Sequence, residues 1–152
     1  PCPCGYYGTP DHDCRCDDAT LARYRRKLSG PLLDRIDLNV RVGPVSWQAL
    51  QTTQAGESSS IVRARVLRAR RKQSERGVDS NAAIEDRHID ALVTADPEAV
   101  ELLGRAVERM QLSARAVRRV LRVARTIADL ADEASTSRSA IAEALQLRLG
   151  EA

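Results

Sequence analysis

The clearest pattern along the chain is helical and lies in its second part. Ile61, Val62, Val66, Leu67 and Ala69 recur at the spacing of one helix face. Ser59 or Ser60 stands where an N-cap belongs and Gly77 where the helix should stop. The stretch Asp79–Ala91 is less regular and predicts one or two short turns. Asp96-Pro97 then marks a strong start, with an acidic cap before a first-turn proline. Its helix should reach about Met110, with Val100, Leu103, Val107 and Met110 inward. Ser113 caps the next, to about Leu130, with Val117, Val120, Leu121, Ala124, Ile127 and Ala128 on one face. Ser137 starts a last helix through about Leu149, placing Ile141, Ala144, Leu145 and Leu149 inward. Four helices joined by short loops predict a small bundle.

The first part reads differently. Asp17 or Asp18 can cap a helix running to about Leu28, which Ser29-Gly30-Pro31 breaks. From Ile36 to Val42 the pattern alternates, with Leu38, Val40 and Val42 apolar and Asp37, Asn39 and Arg41 polar, the mark of a half-buried strand. A single strand cannot satisfy its own backbone, and no second strand is evident. The expected fold is therefore mainly α: a four-helix bundle over 57–152, preceded over 1–56 by a Cys-rich, partly ordered segment with one helix and an orphan strand. The polar run Gln51–Ser60 reads as the linker. The unpartnered strand and the Pro-Cys-Pro-Cys opening, which has no initiator Met, suggest a piece of a longer protein.

Composition narrows the class. Among 152 residues, 43% are hydrophobic, yet there is no Phe, one Trp and three Tyr. A core of Leu, Ile, Val and Ala favours helix over a β-sandwich. No apolar run approaches the ~20 residues of a membrane span, and no secretory signal is visible, so a soluble, cytoplasmic protein is expected. The net charge is only +3. Local clustering says more: Arg63, Arg65, Arg68, Arg70, Arg71, Lys72 and Arg76 share one predicted helix with only Glu75 opposing them. Such a helix can track a phosphate backbone, with Arg63, Arg68, Arg70, Arg71 and Lys72 as the candidate DNA contacts. The competing reading is a solvated face, or arginines paired with the acidic residues of Asp79–Glu101. Arg118, Arg119, Arg122 and Arg125 on a second helix invite the same two readings. No aromatic is interleaved, which argues against base stacking. Trp47 and His88 read as packing residues.

Cys2-Pro-Cys4 and Cys14-Arg-Cys16 are two close pairs within fifteen residues, separated by Gly5, Gly8 and Pro10. Four thiols so placed can surround one tetrahedral zinc, and His12 could replace one of them. Free thiols and two disulfides are the alternatives. A closed four-thiolate site would be structural.

These residues also carry a resemblance. Cys2-Pro-Cys4-Gly5-Tyr6-Tyr7-Gly8, the Cys14/Cys16 pair, Arg23-Tyr24-Arg25 and Ser29-Gly30-Pro31-Leu32-Leu33-Asp34-Arg35-Ile36-Asp37-Leu38 look like the bacterial Mg-chelatase-like AAA+ ATPases, in their ComM/YifB-type competence branch. Asn81-Ala82, Leu112-Ser113-Ala114-Arg115-Ala116 and Arg119–Leu130 continue the likeness. It implies the end of an AAA+ core followed by its helical lid. The parent would bind ATP and Mg2+, assemble with itself into a ring, by the resemblance a hexamer, and act on DNA as a branch-migration helicase. No G-x-x-x-x-G-K-[ST] phosphate loop occurs in this chain, so it is not expected to hydrolyse ATP alone. Arg35 matches the arginine finger of the related helicase clade, which reaches a neighbouring subunit's nucleotide. Arg115 matches the second sensor, which contacts ATP phosphate from a lid helix. Without the resemblance, Arg35 reads as a surface ion pair with Asp34 or Asp37, and Arg115 as a solvated first-turn arginine. Two other functions compete: the ATPase motor of magnesium chelatase, inserting Mg2+ into protoporphyrin, and a zinc-stabilised helical DNA-binding or adaptor module.

Overall fold

The computed structural model describes residues 2–9, 12–27, 32, 35–40, 42, 43, 45–51 and 56–149. They form two compact units. One comprises Pro1–Ile36 and Val40–Gln54; the other comprises Asp37–Asn39 and Ala55–Ala152. The short run Asp37–Asn39, read from sequence as part of the first segment, thus belongs with the second unit.

In the first unit, helix α1 spans Asp18–Arg25. Asp17 caps it, its carboxylate accepting from the Thr20 amide at 2.7 Å. Asp18 in the first turn and Arg23 and Arg25 in the last suit the helix dipole. Leu21 is its buried residue. The expected extension toward Leu28, and the Ser29-Gly30-Pro31 break, lie outside the described residues. A five-residue helix, α2, spans Trp47–Gln51, and Ser46 before it accepts from the Ala49 amide at 3.2 Å, a cap that sequence reading missed. Trp47 is 71% exposed, so it is not the packing residue expected.

The alternation over Ile36–Val42 does not become a strand. Residues 36–40 have no regular secondary structure, and Leu38, Val40 and Val42 are exposed. The reason is the missing ladder. Among the described residues the one β-type pairing is a parallel bridge between Ala95 and Thr136.

The second unit begins with α3, Ser59–Glu75, capped by Ser58 and not by Ser59 or Ser60 as expected, since both of those already lie in the helix. After it the chain turns at Gly77, whose φ of +78° suits glycine. Two 3₁₀ turns, Asn81–Ala83 and Asp86–His88, lead to the short helix α4, Ile89–Leu92. Then come α5, Pro97–Met110, α6, Ala114–Leu130, and α7, Arg138–Leu149. Asp96 stands at the N-cap of α5 but makes no capping bond; its carboxylate accepts from the Ser135 hydroxyl at 2.6 Å. Ser113 does cap α6, accepting from the Ala116 amide at 3.2 Å.

The core gathers Ala99, Leu103 and Ala106 of α5, Val120, Ala124 and Ala128 of α6, and Ala140, Ile141, Ala144 and Leu145 of α7. So many alanines let the backbones approach closely. A smaller cluster, Ile84, Ile89 and Val93, packs beside Leu121. Two expectations are corrected. On α5 the inward face runs through Ala99, and Val100 is 57% exposed. On α3 only Ala69 and Gln73 are buried, while Ile61, Val62, Val66 and Leu67 are exposed. The helix packs against α6 and contributes nothing to the main core.

Candidate functional site

The four cysteines converge. A turn closed by the Gly5 amide on the Cys2 carbonyl, at 3.1 Å, brings Cys2 and Cys4 together. Gly5 and Gly8 take left-handed φ values of +86° and +79°, which a side chain would resist. Cys14 and Cys16 arrive from the residues just before α1. All four are free thiols, and their sulfurs lie within 4.8 Å of one another. The Sγ separations are 3.3 Å for Cys2–Cys4 and 3.6 Å for both Cys4–Cys14 and Cys2–Cys14. A tetrahedron with metal–sulfur bonds of about 2.3 Å has edges of about 3.8 Å, so this donor set fits one soft dication. The Tyr7 amide donates to Cys2 Sγ at 3.3 Å, a bond that stabilises a thiolate. The Tyr6 amide and the Cys2 thiol lower the Cys4 pKa to about 6. Cys14 is pushed up to about 12: the Cys16 amide opposes this, but desolvation and the thiols of Cys4 and Cys2 prevail. A bound cation would ionise them all. His12 stands apart from the ligand set; its ring packs on Tyr6, with centroids 4.7 Å apart.

The second group of candidates is the arginines. Arg35 is exposed, its amide closing a turn on the Leu32 carbonyl at 3.0 Å. Asp34 lies outside the described residues, while Asp37 turns to Arg119, with Nη1 to Oδ1 at 2.7 Å. Arg115 lies in the first turn of α6, exposed, and its side chain makes no hydrogen bond or ion pair among the described residues. The other arginines of α6 are all engaged. Arg118 donates to the Asp86 carbonyl. Arg122 reaches the Ile84 carbonyl at 2.7 Å and the Asp86 carboxylate at 2.5 Å. Arg125 is buried, donating to Asp129 at 3.1 Å, the Ala134 carbonyl at 3.0 Å and the Glu133 carbonyl at 2.8 Å. Asp129, also buried, accepts in addition from Arg76 and from Asn81 at 2.8 Å. Sequence reading missed this buried pair. The available signal was its i,i+4 spacing beside the small residues Ala124 and Ala128.

The basic face of α3 is partly spent in the same way. Arg65 pairs with Glu57 at 2.8 Å and Lys72 with Asp132 at 2.7 Å. Arg70 donates to Gln73 at 3.0 Å, and Arg76 to Asn81 at 2.7 Å. Arg63, Arg68 and Arg71 remain exposed to solvent.

The chain is similar to known families along most of its length. The family model for magnesium chelatase, subunit ChlI, matches residues 1–50, and the model for magnesium chelatase, subunit ChlI C-terminal, matches residues 56–148. The competence protein ComM of Haemophilus influenzae is 38% identical over 149 residues, covering 97% of this chain and 29% of ComM. An uncharacterized protein of Mycobacterium tuberculosis is 40% identical over 152 residues, covering 97% of this chain and 30% of the relative. The uncharacterized protein YifB of Escherichia coli is 36% identical over 149 residues, with 97% and 29% covered. The chain therefore spans about 30% of the length of the curated relatives it matches.

Proposed function

We propose that this chain, which belongs to the magnesium chelatase subunit ChlI family, supplies the lid and an interface arginine to a ring-forming AAA+ ATPase that remodels DNA. One observation carries the reading. Of the five arginines on α6, four find acceptors on the protein, and Arg115 alone has none among the described residues. A permanently charged, planar guanidinium left open in the first turn of a lid helix suits the phosphates of a nucleotide. Arg115 would read nucleotide state in its own subunit. Arg35, exposed on a turn, would reach a neighbour's nucleotide and neutralise charge developing at the γ-phosphate. Mg2+ would accompany the ATP.

The likeness to a competence protein supports DNA as the substrate. The exposed Arg63, Arg68 and Arg71 offer the phosphate contacts. The family's name favours a second reading, a motor for magnesium insertion into a porphyrin. In either reading the four cysteines would hold one structural zinc.

The test uses the assembled full-length protein. Arg35→Ala should abolish ATP turnover while sparing ATP binding, and Arg115→Ala should lose turnover together with nucleotide-dependent change in the lid. Undiminished hydrolysis by both variants would sink the reading. Stimulation by branched DNA favours the first substrate, and stimulation only with protoporphyrin and its partner subunits the second. Native mass spectrometry should find one zinc per chain, lost on acid denaturation. Four reactive thiols without metal would remove the zinc assignment.

A further inference from the structure

Asp37–Asn39 is a three-residue run that packs with the second unit although its neighbours on both sides, Ile36 and Val40, belong to the first. Two bonds hold it there. The Asp37 carboxylate accepts from Arg119 at 2.7 Å. The Asn39 amide donates to the Leu147 carbonyl at 2.6 Å. Leu147 lies in the last turn of α7, where carbonyls lack an intrahelical partner, so Asn39 satisfies a group that would otherwise be orphaned. The run is thus fastened to two helices of the lid, α6 by charge and α7 by backbone.

Its position along the chain gives this fastening a use. Asp37 follows Arg35 by two residues, a span of at most about 7 Å of extended backbone. Arg119 follows Arg115 by four, which places both on one face of α6. We infer that Asp37 and Arg119 form a clip that transmits displacement of the lid helix to the interface arginine of the same subunit. The inference rests on the roles proposed above for Arg115 and Arg35. When Arg115 engages phosphate, movement of α6 is carried through Arg119 to Asp37, and so to Arg35 at the neighbouring subunit's nucleotide. Hydrolysis around the ring then becomes cooperative. Asp37 and Arg119 are positioning residues that touch neither nucleotide.

The experiment compares Asp37→Asn, Arg119→Gln and the charge swap Asp37→Arg with Arg119→Asp in the assembled full-length protein. Each single variant should keep its melting temperature and its ATP Kd. The turnover number should fall by about 10–100-fold, the scale of an ångström's misplacement, and the Hill coefficient for ATP should drop toward one. The swap should restore most of both. In this chain alone, the Asn39 amide should exchange more slowly than those of Leu38 and Val40, and Arg119→Gln should remove the difference. Single variants that turn over normally, while Arg35→Ala and Arg115→Ala are dead, would overturn the clip and leave the proposed function standing. A loss of turnover that the swap does not rescue would overturn it as well. Full activity in Arg35→Ala and Arg115→Ala would overturn both.

Discussion

At the scale of single residues, the decisive group is the buried pair Arg125–Asp129. Each is almost wholly removed from solvent, and the carboxylate also receives Arg76 and Asn81. Removing one partner strands the other charge in a poorly solvating interior. Asp129→Ala should therefore cost about 3–5 kcal/mol in urea unfolding of the second unit. Arg115→Ala, on an exposed side chain, should stay within about 0.5 kcal/mol. That contrast separates an arginine that holds the fold together from one that does not. Asp17 gives a pH-dependent counterpart. The Thr20 hydroxyl and then the Thr20 amide hold its carboxyl below the ordinary 3.8. Its support of α1 is complete above that value and is lost as pH falls through the lowered one. Acid titration of amide shifts should fray the start of α1, and Asp17→Ala should start frayed and show no such step. The convergence of the cysteines was readable from spacing because all four lie within fifteen residues. The buried arginine was not: the acceptors that bury it come from Glu133, Ala134 and the Asp129 neighbourhood, which only folding assembles.

Among the elements, boundaries were the most legible feature, because caps are chemistry within three residues. Asp17 and Ser113 both accept the expected amide bonds. Ser113→Ala should cost about 1 kcal/mol in thermal or urea unfolding and loosen the turn that carries Arg115. Asp96 marks where the element was misread in detail: the right residue type stands at the right place, but Ser135 takes its carboxylate. Faces were less legible than ends. The apolar stripe Ile61, Val62, Val66 and Leu67 has the correct period yet stays exposed, because periodicity says that a face is apolar and not what covers it. On α5 small Ala99 faces inward in preference to Val100, since close helix approach rewards size as well as polarity. The alternating run at Ile36–Val42 failed for the converse reason. A strand is defined by its neighbour, and among the described residues of this run the one backbone–backbone bond is that of the Asn39 amide on the Leu147 carbonyl.

On the scale of the whole molecule, the mainly helical class followed from composition and spacing. The division of the chain was less transparent, because the run Asp37–Asn39 joins the second unit through contacts far away in sequence. None of the described helices is long and apolar enough to cross a membrane. The two units should respond to different insults. With zinc held as proposed above, a chelator should unfold residues around the four cysteines and leave amide protection in α5, α6 and α7 intact. Asp129→Ala should do the reverse. Hydrogen exchange read by mass spectrometry checks both at once, and loss of protection in α5, α6 and α7 on chelation would contradict the first expectation.

The exposure of Trp47 has an optical consequence. All the tyrosines and the tryptophan precede residue 48, so the helices of the second unit are transparent in the near ultraviolet. An indole already 71% open to water emits at long wavelength before unfolding as well as after it. Intrinsic fluorescence is therefore silent on these helices, and a flat trace during heating says nothing about whether they have melted. A tryptophan introduced at half-buried Leu121 would make that transition visible without competition from any other aromatic of these helices.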